Sequence, residues 1–157
     1  MDRDPIIVRR AAGAEAPAIA EVYVASRRGA AQFIPTVHSD DEMRQYIAAH
    51  LLPTLDVWVA EAGGAIVAMM AVKGDSIEQL YVAPPSQRRG IGDALLKLAK
   101  KVSPVRLRLY TFEKNAPARR FYEARGFRAI EFTDGTRNEE REPDVLYEWT
   151  PNCGAES

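Results

Sequence analysis

The chain has 157 residues, of which 46% are hydrophobic and 27% charged, with a formal net charge of −1 at pH 7. That is the balance of an ordinary globular protein, long enough to bury one core over residues 1–157 without disulfides or structural metals. It excludes a disordered chain, and the near-zero charge excludes a uniformly basic nucleic-acid binder.

The opening Met1-Asp2-Arg3-Asp4-Pro5 has no basic region followed by an apolar stretch, so no signal peptide is expected and the expected compartment is cytoplasmic. Ile6 to Arg10 reads as a first strand. Ala14 to Ser26 reads as a helix with Ile19, Val22 and Tyr23 on one face. Phe33 to His38 is a loop broken by Pro35, and Ser39-Asp40-Asp41-Glu42 is a capping box. The helix it opens carries Met43, Ile47, His50 and Leu51 at helical spacing, and Pro53 is expected to end it. Val57 to Glu61 and Ala65 to Lys73 form a hairpin through Gly63-Gly64. The apolar run Ala65–Val72 suits a strand buried on both faces and is too short to cross a membrane. Ile77 to Val82 is a third meander strand, stopped by Pro84-Pro85. A glycine loop then opens a helix with the stripe Ile91, Leu95, Leu98 and Val102, closed by Pro104. Val105 to Tyr110 is a strand. Asn115 caps the next helix, with Pro117 in its first turn and Gly126 at its end. Phe127 to Thr133 and Val145 to Trp149 are the last strands, joined by the charged loop Asp134 to Asp144. Cys153 cannot close an internal disulfide and has no neighbouring histidine to make it a nucleophile.

This order predicts an α/β protein: a central mixed, mostly antiparallel sheet of about seven strands with helices on both faces. Ile77–Val82 and Val105–Tyr110 bracket a helix and should run parallel.

Charge is unevenly spread. Residues 86–128 hold twelve Lys or Arg against Asp93, Glu113 and Glu123, while residues 131–148 hold seven acids against Arg137 and Arg141. The basic block suits a polyanion or a solvated face. Nucleic acid is disfavoured, because the aromatic spacing of a single-strand platform is missing.

The most informative stretch is Leu80-Tyr81-Val82-Ala83-Pro84-Pro85-Ser86-Gln87-Arg88-Arg89-Gly90-Ile91-Gly92-Asp93-Ala94-Leu95-Leu96. A strand enters a two-glycine loop that opens a helix, where unpaired N–H groups and the positive dipole end face a ligand. Glycines let that backbone approach closely, and Arg88 and Arg89 add charge, so the loop suits a phosphate. It is not a nucleotide-triphosphate loop, because Asp93-Ala94 stands where Lys-Ser or Lys-Thr is needed, nor a dinucleotide fingerprint, because Leu95 stands where the third glycine belongs.

Strand–Gln-x-x-Gly-x-Gly–helix, with Tyr-Val-x-Pro before it and Ala-Leu-Leu after, resembles the GNAT superfamily of acetyl-coenzyme A-dependent N-acetyltransferases. Asn115-Ala116-Pro117-Ala118-Arg119-Arg120-Phe121-Tyr122-Glu123-Ala124-Arg125-Gly126-Phe127 resembles that superfamily's second cofactor motif. The resemblance covers essentially the whole chain. It implies that Gln87, Arg88, Arg89, Gly90, Ile91 and Gly92 hold the pyrophosphate of acetyl-coenzyme A. It also implies that Leu80, Tyr81 and Val82 run beside the pantetheine arm in a slot between splayed parallel strands. Asn115 would bond the pantetheine, act as a plain helix cap, or do both.

Acetyl transfer needs a neutral amine, a base to make it and a proton for the leaving thiolate. Tyr122 is the candidate acid, with a core aromatic as the other reading. Glu78 is the candidate base, with a strand-edge or bulge residue as the other reading. The resemblance places His38 beside the acceptor site, against a plain surface histidine, while His50 reads as structural. Glu139 and Glu140 read either as a solvated loop or as an acidic wall that draws in a cationic amine. Trp58 and Trp149 read as core. No residues at ligand spacing suggest a metal. Expected partners are a small-molecule or peptide amine, with no nucleic acid and no membrane; monomer and homodimer both remain open. The competing reading is a non-catalytic module of the same fold that senses acyl-coenzyme A.

Overall fold

The computed structural model describes residues 5–151. The readings of Met1–Asp4 and of Cys153 lie outside that range. Strand β1 (Ile6–Arg10) is followed by a 3-10 turn and α1 (Ala16–Gly29), then by α2 (Asp40–Tyr46). A π-helical turn (Ile47–Leu51) joins α2 to the short α3 (Leu52–Thr54). The meander β2 (Asp56–Ala62), β3 (Ala65–Lys73) and β4 (Ser76–Val82) leads into α4 (Ile91–Val102). Then come β5 (Leu107–Phe112), α5 (Ala116–Glu123), β6 (Arg128–Thr133) and β7 (Asp144–Trp149). The seven strands form one sheet in the order β1-β2-β3-β4-β5-β7-β6. Only β4 and β5 are parallel neighbours.

The sequence explains most of this locally. Gly63 and Gly64 have φ of 58° and 82°, the left-handed pair that a two-residue hairpin turn needs to match strand twist. Ala68 to Val72 of β3 are buried on both faces, as their unbroken apolar run requires. The Ser39 capping box is formed: Ser39 Oγ accepts from Glu42 N–H at 3.1 Å, and Glu42 Oε1 accepts from Ser39 N–H at 2.8 Å. A cap of this type stabilises a helix by about 1 kcal/mol.

The sheet is covered on both faces by separate apolar clusters. α4, Tyr122 of α5 and Phe127 pack on one side, and α1, α2 and the π turn on the other. Each fully buried Leu or Ile in these layers contributes roughly 1.5–3 kcal/mol.

Three local expectations shift. The buried stripe of α4 is Ile91, Leu95, Leu96 and Ala99, not Leu98 and Val102, and Val102 is 50% exposed. Strand β5 starts two residues later than its β-branched Val105 suggests. Ser103 Oγ donates to Arg106 O at 2.8 Å, spending residues 103–106 on a turn and leaving Val105 exposed. The helix before Pro53 runs one residue past it, to Thr54, after a π turn in which Leu52 N–H donates to Ile47 O.

Candidate active site

The β4–β5 pair carries one ladder partnership, Ser76 with Arg108, next to which Arg108 N–H donates to Asp75 O at 2.8 Å. Beyond that point the strands part. The cause lies in β4: Ala71 pairs with Gln79 and Val72 with Ile77, so Glu78 is a bulge residue that bends the strand. The gap is a cavity of about 140 Å³, lined by Glu78, Leu80, Tyr81, Tyr110, Asn115 and Tyr122 among others.

The bulge reading of Glu78 holds, and the bulge sets the residue at the slot. Its exposed carboxylate accepts a 2.6 Å hydrogen bond from Ser76 Oγ. Tyr122 is both core aromatic and slot wall. Its ring packs edge-on against Phe121 and Phe127, and burial pushes its phenol well above the ordinary value. The hydroxyl is thus fully protonated at neutral pH and able to donate. Asn115 caps α5, Oδ1 accepting from Ala118 N–H at 3.2 Å, while also lining the slot. Tyr147, which the sequence did not single out, sits beneath. Its hydroxyl accepts from Arg119 Nε at 2.9 Å and donates to Glu123 Oε2 at 2.5 Å, fixing α5 and hence Tyr122.

At the C-terminal end of β4 the loop turns into α4. Arg88 (φ 66°) and Gly90 (φ 79°) are left-handed, and Gly90 is the N-cap with no side-chain cap. The first-turn N–H groups of α4 are therefore not covered by a capping side chain. A Cβ at Gly90 would meet nothing within 4 Å, so the space before the helix is open, whereas one at Gly92 would come within 3.2 Å of Phe121 Cζ. Gln87 is tied into the turn, its backbone N–H donating to Pro84 O at 3.3 Å. Its side-chain amide folds back to donate to Val82 O at 3.1 Å, a carbonyl that also accepts from Ser26 Oγ at 3.2 Å. Arg88 is exposed and Arg89 half-buried. Asp93, the one acid in the first turn, is held by Lys97 and Arg125 at 3.2 and 2.9 Å. An open glycine-lined helix start, next to a narrow slot, fits a pyrophosphate with a thin arm attached.

On the α1–α2 side of the sheet lies a larger cavity of about 1000 Å³, which brings His38, Glu139 and Glu140 together from distant parts of the chain. Neither glutamate is a free acidic wall. Glu140 pairs with Arg27 at 3.2 Å, both side chains largely buried, and Arg27 Nη1 donates to Tyr81 OH at 3.0 Å. The Arg27 guanidinium also lies 5.5 Å from the Tyr23 ring centre. Glu139 is exposed and bonds His38 at 2.9 Å, with Glu42 at 3.4 Å on the other ring nitrogen. The Glu139 hydrogen bond, with help from Glu42, raises the His38 pKa above 6.5. Elsewhere the two oppositely charged segments are partly zipped together, through Lys114–Glu142 and Arg108–Glu148.

The loop that presents Glu139 and Glu140 is itself braced. Asn138 Nδ2 donates to Glu142 O at 2.8 Å and to Asp144 Oδ2 at 3.1 Å. Gly135 (φ 86°) leaves no room for a Cβ, which would fall 2.5 Å from Glu142 C. His50 is exposed, lines this cavity and stacks on Tyr46, so the structural role expected for it is corrected. Trp58 and Trp149 are half-buried against the core, under Arg10 and Lys100. Arg27, Tyr23 and Tyr46 were missed by sequence reasoning. The only available signal was Tyr23 and Arg27 at i, i+4. Ile34 and Gln79 line both the cavity and the slot.

Among the described residues no group of three His, Cys, Asp or Glu could hold a metal ion, and no helix is long and apolar enough to cross a membrane.

Comparison with known proteins agrees with this geometry. An acetyltransferase (GNAT) domain model matches residues 21–139. The peptidyl-lysine N-acetyltransferase YiaC of Escherichia coli (strain K12) is 32% identical over 126 residues, spanning 80% of this chain and 85% of its own. In fold, the chain is similar to apo YjaB from Escherichia coli, with a TM-score of 0.77 at 21% identity over 92% of this chain and 97% of that one. It is also similar to yncA from Salmonella typhimurium, a putative acetyltransferase solved with acetyl-CoA, with a TM-score of 0.68 at 21% identity over 93% and 94% of the two chains. With the family model covering most of its length, a splayed β4–β5 pair and a glycine-lined start to α4, the chain belongs to the GNAT acetyltransferases, the family of acetyl-coenzyme A-dependent N-acetyl transfer.

Proposed function

We propose that this chain moves the acetyl group of acetyl-coenzyme A to a primary amine by direct attack, with donor and acceptor bound together. The observation that carries this reading is the meeting of two cavities across β4: a narrow slot bearing a protonated phenol, and a wide one bearing acids. Bound acetyl-coenzyme A supplies an activated acyl carbon at the slot. Arg88 to Gly92 hold its pyrophosphate through backbone N–H groups, Gln87 fixes the turn that presents them, and Arg88 and Arg89 add charge. Leu80, Tyr81, Val82 and Asn115 flank the pantetheine arm.

Glu78 takes the amine's proton, directly or through a water. The nitrogen then forms its bond to the acyl carbon as the C–S bond breaks, and Tyr122 gives the departing thiolate a proton. The wide cavity suits a cationic acceptor. Asp40, Glu42, Glu139 and Glu140 face it against Arg27 and Arg28, leaving an acidic rim whenever His38 is neutral. Its size and openness suit a lysine side chain on a peptide, and the relative named as a peptidyl-lysine N-acetyltransferase supports that choice over a small amine.

The test is thiol release from acetyl-coenzyme A against lysine peptides, polyamines, amino acids and aminoglycosides. Release with lysine peptides exceeding the rest is expected. Tight coenzyme A binding with no amine-dependent release would make the chain an acyl-coenzyme A sensor instead.

A further inference from the structure

The slot and the wide cavity share two lining residues, Ile34 and Gln79. A nitrogen travelling from the wide cavity to an acyl carbon in the slot must pass between them. Ile34 is buried and pinned, its N–H and that of Phe33 donating to Ala30 O at 2.9 and 2.8 Å. It can shape the passage but has no group to orient an amine.

Gln79 has. It stands opposite Ala71, and its strand neighbour Tyr81 stands opposite Met69, both in the core beneath α1 and α2. These two side chains therefore point to the acceptor side. The Tyr81 hydroxyl is engaged by Arg27. Among the described residues no hydrogen bond occupies the side-chain amide of Gln79. Glu78, one position earlier, lines the slot and not the wide cavity.

We propose that Gln79 positions the acceptor and makes the enzyme selective for primary amines. This rests on the acetyl-transfer reading above. The Gln79 carbonyl accepts one N–H of the neutral amine and turns its lone pair toward the acyl carbon. An amide cannot take the proton away, so it orients without acting as a base. A neutral primary amine has two N–H bonds. One stays with Gln79, the other is lost as a proton while the N–C bond forms and the C–S bond breaks, and the thiolate leaves with a proton from Tyr122. A secondary amine has a single N–H, which the reaction must remove. It cannot keep the Gln79 contact through to product, and small errors of placement cost large factors in rate.

The experiment uses the full chain with two acceptors, an N-terminally blocked lysine peptide and cadaverine, paired with the Nε-methyl-lysine peptide and N,N′-dimethylcadaverine, in which every acceptor nitrogen is a secondary amine. Wild type should favour the unmethylated acceptor by about tenfold or more in kcat/KM, the scale of one hydrogen bond. Gln79→Met, which keeps length and loses the amide, should lower kcat/KM for the primary amine by about 10–100-fold and erase the preference. Coenzyme A affinity and thermal midpoint should be unchanged. Gln79→Glu, which keeps an acceptor oxygen, should restore the preference. A Gln79→Met enzyme with wild-type rate and wild-type preference overturns the proposal. So does a folded variant that loses coenzyme A binding, since Gln79 would then serve the donor. Wild type that binds coenzyme A and acetylates none of the four amines overturns the acetyl-transfer reading itself, and the role of Gln79 with it.

Discussion

The two cavities that meet at β4 are built by different means. The slot and the glycine loop beside it are made by main chain: a bulge that parts two strands, a left-handed glycine and an uncapped helix start within a short stretch of sequence. The wide cavity is made by side chains brought from far apart. Arg27 meets Glu140 across 113 positions, and His38 meets Glu139 across 101. A donor that never changes can be held by backbone geometry. An acceptor that differs between relatives is met by groups that substitution can alter without disturbing the sheet.

That contrast can be broken by substitution on either side. The largest effect is expected from Tyr122→Phe, which keeps the packed ring and removes the proton donor. kcat should fall about 100-fold with little change in coenzyme A affinity, read by steady-state kinetics and titration. A wild-type kcat would reduce Tyr122 to a core aromatic.

Next comes Gly90→Val. Its side chain would project into the open space before α4, and its φ of 79° disfavours any branched residue. Coenzyme A binding should weaken by roughly tenfold or more, because the pyrophosphate could no longer reach the helix N–H groups. Gly92→Val is the poorer probe, since its Cβ would press on Phe121 and confuse folding with binding.

Glu140 and Glu139 sharpen the comparison within the wide cavity. Glu140→Lys leaves the buried Arg27 facing a like charge and should lower stability by about 3 kcal/mol, visible in a denaturant melt. Glu139→Lys should leave stability within about 0.5 kcal/mol, because that pair is exposed. It should instead raise acceptor KM in a way that fades with salt.

The smallest effect is a pH dependence at His38. Its pKa is raised by Glu139 and Glu42, so the strap it makes between the two loops is complete below about 6.5 and is lost as pH rises through the raised value. Hydrogen-exchange protection factors in residues 134–144, which are corrected for the intrinsic rise of exchange with pH, should fall across that window in wild type and stay level in His38→Gln.

The same division decides what the sequence could reveal. Strand β3, the capping box at Ser39, the Gly63-Gly64 turn and the glycine loop that opens α4 were legible because each is a local pattern with a local cause. The bulge at Glu78 was signalled by a charge in mid-strand, but the membership of Tyr122, Glu78 and Asn115 in one slot was legible only through family resemblance, since no spacing rule joins β4 to α5. The start of β5 was misread at Val105, where a turn set by Ser103 overrides β propensity. The partners of Glu139 and Glu140 were illegible. Their cations, His38 and Arg27, come from the other half of the chain, and no spacing rule reaches that far.

Separate occupancy of the two cavities is the central claim, and amide chemical-shift mapping with each ligand alone tests it directly. Coenzyme A should shift residues 80–82, 87–92 and 115–122 and leave 138–140 undisturbed, while a lysine peptide should shift residues 38, 79 and 138–140 and leave 87–92 undisturbed. Coenzyme A signals centred on Arg27 and Glu140, or a peptide that displaces coenzyme A from the α4 loop, would contradict it.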